Sequence, residues 1–189
     1  MKKVLMVLLS LILIFSYALV YADGIQKSIA GSVVRFHILA NSDSEFDQSV
    51  KFSVRDYVSE KLQNGELTLE NIQNYANEKL EELGVEYRAE AKYERVFIEK
   101  KDYLNLSFPS GEYKAVRLVL GEGKGQNWWC VAYPSLCFTE NAFGQMSEKG
   151  QKELEDSMEK TAYETVSGEK EYRFFIVDFF SQIKERLAR

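Results

Sequence analysis

Three side chains stand out for reactivity, because this 189-residue chain has one histidine, His37, and two cysteines, Cys130 and Cys137. A cysteine activated by a histidine makes an acyl-transfer nucleophile, so a Cys–His hydrolase is one reading. No local cysteine-protease signature surrounds either cysteine, and a structural, hydrogen-bonded histidine is the simpler account. One histidine and two cysteines also fall short of the four ligands of a structural zinc site. Six residues lie between Cys130 and Cys137. In an exported chain that even count reads first as a disulfide, with two reduced, buried cysteines as the alternative.

Other motifs fail on detail. Gly121-Glu122-Gly123-Lys124-Gly125 lacks the Ser or Thr that a P-loop places after its lysine, and strand-like sequence follows it where a helix is required. Its glycines are expected to shape a loop. Asn41, Asp43, Glu45 and Asp47 alternate like calcium ligands, yet Phe46 occupies the position that needs glycine and Phe52 the one that needs glutamate. Helix capping explains this cluster better. Trp128 and Trp129 would point to opposite faces of a strand, one toward the core and one free to pack or bind. No metal or small-molecule cofactor is expected.

The elements that would position these residues follow from hydrophobic period. Val33–Ala40 is a short apolar run expected to be a doubly buried strand, followed by N-cap residues Asn41–Ser44. Phe46, Val50, Val54, Tyr57, Val58 and Leu62 then mark one helix face. Thr68 is expected to cap a second helix that ends at Gly84. From Val85 the period changes to two and predicts a half-exposed strand. Tyr113–Leu120 and Trp128–Tyr133 read as strands joined by a hairpin-type loop. One helix is predicted over Glu148–Val166, with Leu154, Met158, Ala162 and Val166 inside. The end, Tyr172–Leu187, reads as a helix whose inner face is Ile176, Phe179, Phe180, Ile183 and Leu187, although Phe174-Phe175 could start a strand. The sum is an α+β fold: two layers, helices packed on a mainly antiparallel sheet.

Residues 1–22 stand apart. A Lys2-Lys3 start, an apolar run from Val4 to Val20 and a Val20-Tyr21-Ala22 end follow the order of a secretory signal peptide, with the mature chain expected from Asp23. Residues 23–189 are expected to form a single domain. Loss of two lysines with the leader takes the formal charge from −5 to −7. That acidity argues against nucleic-acid binding and against general attraction to anionic surfaces.

Two long stretches together are specific. Val34–Asp56 carries Arg35, His37, Ala40, Asn41, Ser42, Asp43, Asp47, Gln48, Lys51, Val54, Arg55 and Asp56. Ala115–Phe138 carries Arg117, Gly121, Gly123, Gly125, Asn127, Trp128, Trp129, Cys130, Pro134 and Cys137. In this order, behind an export leader, they resemble the stage II sporulation protein R family of endospore-forming bacteria; Ser135 stands where the family pattern has a second proline. The resemblance implies a secreted intercellular signal, not an enzyme. It would be made in the forespore and exported into the space between the forespore and mother-cell membranes. Its implied partner is a membrane-embedded aspartic protease of the mother cell, which removes the pro-sequence of the sigma-E factor. Asn41, Asp43, Trp128 and Trp129 are the expected partner-binding residues. The competing class is an extracytoplasmic Cys–His hydrolase or a cell-wall-active enzyme.

Overall fold

The computed structural model describes residues 2–63, 66–103, 106–134, 148–169 and 171–188. They divide into two compact units: residues 33–96 with 113–157, and residues 1–32 with 97–112 and 158–189. The fold class is α+β, as the periodicities imply.

The unit of residues 33–96 and 113–157 is built on a four-stranded sheet. Its strands are β1 (Val34–Leu39), β2 (Ala89–Ile98), β5 (Gly111–Leu120) and β6 (Asn127–Tyr133), in the order β2-β5-β1-β6. β1 runs parallel to β5, with Arg35 opposite Ala115, and antiparallel to β6, with His37 opposite Trp129. The sheet is therefore mixed. The predicted hairpin is corrected by this order: β5 and β6 are not neighbours, because β1 lies between them. β1 is the most continuously buried strand, Arg35 and His37 included, because a central position pairs both of its edges and buries both faces.

Helices α2 (Glu45–Gln63) and α3 (Leu69–Glu82) cover one face of that sheet. Phe36, Ile38, Val116 and Leu118 from the strands meet Val50, Val54, Val58, Ile72, Ala76 and Leu80 from the helices in one core. Thr68 caps α3 by accepting a hydrogen bond from the Asn71 backbone N–H, and Gly84 follows its end at φ +67°. Two local expectations are corrected. The strand read from Val85 begins at Ala89. Phe46, expected inside, is 60% exposed, because Asp47 takes the inward position one residue later.

The other unit contains α1 (Lys2–Ser32), the short antiparallel pair β3 (Lys101–Tyr103) and β4 (Leu106–Phe108), α5 (Lys160–Val166) and α6 (Glu171–Ala188). α1 is one continuous helix, long and apolar enough to cross a membrane, and compatible with a signal peptide. Its apolar part is exposed, while Ala22, Ile25 and Ile29 are buried within the unit. The helix expected over Glu148–Val166 is two: α4 (Glu148–Ser157), which belongs to the first unit, and α5. No glycine or proline marks the break, and Leu154, Met158, Ala162 and Val166 are all buried as expected. α6 is helical from Glu171, so Phe174-Phe175 do not form a strand. Its inner face is also corrected: Phe174, Val177 and Phe180 are buried, whereas Phe179 and Leu187 are exposed.

Candidate functional site

Because β1 and β5 are parallel, both end at the same edge of the sheet, and β6 starts there. The segment from Gly121 to Gln126 must pass over the end of β1 to join them, a span of about 10 Å set by two strand spacings. It does so by hydrogen-bonding to the chain it crosses. The Gly125 N–H donates to the Ala40 carbonyl at 2.9 Å and the Lys124 N–H to the Asn41 carbonyl at 3.1 Å. The Asn41 side-chain oxygen accepts from the Glu122 N–H at 2.9 Å. Gly121 and Gly123 take φ of +57° and +62°, which favour glycine. At Gly125 a Cβ would lie 2.2 Å from the Ser42 carbonyl oxygen. Here the glycines permit a tight crossing.

The Asn41–Ser44 turn is tied in the other direction to α2. The Asp47 carboxylate is buried and accepts from Asn41 Nδ2 at 2.9 Å, Ser42 Oγ at 2.5 Å and Tyr87 Oη at 2.6 Å. The Asp47 N–H donates to Ser44 Oγ, which caps α2. Burial alone would push the Asp47 carboxyl up; hydrogen bonds from Ser42, Tyr87, Asn41 and Ser44 outweigh it and hold the group below the usual carboxylate range. The same burial and the Asp47 charge push the Tyr87 phenol up. Lys51 is buried beside this turn, where Nζ donates to Gln48 Oε1 at 2.6 Å and to the Gln126 carbonyl at 3.1 Å. Desolvation, then the nearby Arg55 charge, lowers its pKa.

His37 occupies the opposite sheet face from the α2–α3 core. Its ring stacks on Trp129, 3.6 Å between centroids and 11° between planes. Nε2 donates to Asn127 Oδ1 at 2.7 Å, which leaves Nδ1 as the acceptor of a neutral ring. Nδ1 faces Glu94 Oε1 at 3.7 Å, and Arg117 donates to Glu94 Oε2 at 3.1 Å. Two acceptors cannot bond, so neither Nδ1 nor Oε1 has a hydrogen-bond partner among the described residues. Burial, aided by Arg117 and opposed by Asn127 and Glu94, holds the His37 pKa below its ordinary value.

These positions decide among the chemistries raised by the sequence. Cys130 is paired opposite Phe36, a core residue, and His37 opposite Trp129. Adjacent strand residues point to opposite faces, so Cys130 is directed away from His37 and the two do not form a nucleophile–base pair. Cys137 lies outside the described residues. Asn41 is occupied in holding the glycine loop, while Asp43 is exposed. The tryptophans separate to the two faces. Trp128 is half-buried, with its ring edge-on to Phe36 and the Arg55 guanidinium 5.4 Å above it. Arg55 also lies 4.9 Å from the ring of Phe52, which is 40% exposed. Phe52 and Arg55 were missed by sequence reasoning; the signal was an aromatic out of phase with the apolar face of α2.

The profile of a family described as stage II sporulation protein R matches residues 30–143. The chain is 29% identical to stage II sporulation protein R of Bacillus subtilis (strain 168) over 222 aligned positions, covering 97% of this chain and 99% of that protein. No solved structure matches significantly. The matched region takes in β1, the Asn41–Asp47 turn and the glycine crossing, the parts that the hydrogen bonds tie together, and the chain belongs to the stage II sporulation protein R family.

Proposed function

We propose that the chain is an exported sporulation signal that binds and activates a membrane-embedded aspartic protease, and that this protease then processes the pro-sigma-E factor. Family membership and the apolar N-terminal helix support export and signalling. The observation that carries the contact surface is the convergence of the Asn41–Asp43 turn and the glycine crossing at one end of the sheet, beside half-buried Trp128 and Arg55 and exposed Phe52. Aromatic residues and arginine held on a rigid support are the commonest anchors of protein recognition. To activate, this surface must bind the active form of the protease more tightly than the inactive one.

The test is reconstitution of purified chain with the protease in a membrane, paired with thermal unfolding. Trp128→Ala is expected to lower activation by about 2 kcal/mol of binding if the ring is an anchor. Loss of activation only in proportion to loss of folded chain would remove Trp128 from the surface. A Cys130→Ser, Cys137→Ser pair separates the enzymatic alternative: a catalytic thiol predicts complete loss, a bracing disulfide a graded loss that worsens on heating.

A further inference from the structure

The sheet order gives β2 one strand neighbour, β5. The Gly121 N–H donates to the Arg88 carbonyl, so backbone groups of even-numbered residues in β2 face β5 and those of odd-numbered residues face the open edge. α3 reaches the start of that edge. Asn77 takes both backbone groups of Ala89: its Oδ1 accepts from the N–H at 2.9 Å and its Nδ2 donates to the carbonyl at 3.1 Å. Gln73 Oε1 accepts from the Ala91 N–H at 3.0 Å. Beyond Ala91 this cover stops. Among the described residues, nothing outside the sheet bonds to the backbone of Tyr93 or Arg95. Tyr93 is 57% exposed, and Lys92 and Arg95 are exposed beside it.

The side chains specify the occupant. Lys92 and Glu94 flank Tyr93 and share the opposite face of the strand from it. A second β2, laid antiparallel about a two-fold axis at Tyr93, brings Lys92 of each copy opposite Glu94 of the other. Unlike charges directly opposed stabilise a strand pair, and like charges destabilise it. An axis at Arg95 would oppose two arginines. An axis at Ala91 would run the ladder into the groups that Asn77 and Gln73 hold. We propose that β2 pairs with β2 of a second copy of the chain, antiparallel, with Tyr93 opposite Tyr93 and Lys92 opposite Glu94. The two tyrosines exchange two backbone hydrogen bonds. The Arg95 N–H of each copy donates to the Ala91 carbonyl of the other, and the Arg95 carbonyl replaces Gln73 at the Ala91 N–H. Asn77 ends the ladder. A ladder over residues 91–95 is short beside the roughly 1,600 Å² of a standard interface, so the pairing is weak and concentration-dependent.

Sedimentation velocity of the exported chain over about 10 μM to 1 mM, the range of weak complexes, is expected to show monomer passing to dimer. Tyr93→Pro removes an N–H that faces the open edge, a change an edge strand tolerates. It should weaken dimerisation by about tenfold or more, the worth of the two tyrosine hydrogen bonds, with circular dichroism unchanged. Lys92→Glu sets two carboxylates opposite each other and should weaken it likewise. Trp128→Ala, in the strand at the other edge, should leave it unchanged. In a mixture of isotopically light and heavy chains, carbodiimide should form a Lys92–Glu94 amide that joins light to heavy. A chain that stays monomeric throughout the range would overturn the proposal. So would a dimer that Tyr93→Pro and Lys92→Glu both leave intact, or a Lys92–Glu94 amide found only within single chains.

Discussion

His37 and Asp47 are buried titratable groups held by different means, and pH separates them. Both have pKa values below their ordinary ones, His37 mainly through burial and Asp47 through donors that outweigh its burial. In each case the unfolded chain binds the proton more readily, so stability is present above the unfolded pKa and is lost as pH falls toward the folded one. Urea unfolding against pH is expected to show a first loss below pH 6.5, the ordinary histidine value, and a second below 3.8, the ordinary aspartate value. His37→Gln should abolish the first and keep the second. Asp47→Asn should diminish the second, to which Asp23 and Asp102 also contribute, and cost about 2 kcal/mol at neutral pH, the worth of charge-assisted hydrogen bonds. The sequence showed Asp47 only as part of a capping cluster. Its role as the acceptor for Tyr87, forty positions away, depends on a tertiary contact that no local period encodes.

At the scale of elements, local chemistry was legible and pairing was not. The Thr68 cap, the Gly84 stop and the strand alternation of Trp128 and Trp129 follow from rules that act within a few residues. The order β2-β5-β1-β6 does not, since a short glycine-rich segment between two strands reads as a hairpin until a third strand is known to intervene. The crossing makes its own prediction. Gly125→Ala would drive a methyl against the Ser42 backbone, and such overpacking costs about 1–3 kcal/mol. The unfolding midpoint should drop, and backbone amide exchange should rise at Ala40–Ser42. Glu122 and Lys124, which form an exposed ion pair on the same loop, should tolerate alanine. The inner face of α6 was misread for a related reason. A helix with two apolar sides offers two equally periodic stripes, and only its neighbours decide which is inside. On α1, mass measurement of exported chain is expected to show a species beginning at Asp23; a full-length, membrane-retained species would make the helix an anchor.

At the scale of the whole molecule, no composition shift marks the passage between the two units. The chain passes between them at 32/33, 96/97, 112/113 and 157/158, and two of those points fall inside β2 and β5, where no linker composition exists to be read. The position of β1 has a further consequence, for the order of events during export. In the export proposed above, β1 would cross the membrane soon after the leader, yet its two partners arrive late: Arg35 pairs with Ala115 and with Val131, 80 and 96 positions downstream. The centre of the sheet is thus the first part to emerge and among the last to be closed. Contacts of such separation slow folding, because the chain between must be ordered before they repay the cost. Refolding from urea is expected to be slow, with β1 amides protected together with those of β6. Protection of β1 well ahead of β6 in pulse-labelled exchange would contradict this order. In the export proposed above, β1 would wait on the far side with both edges open until β5 arrives and with one open until β6 does, the state most prone to pairing with another chain.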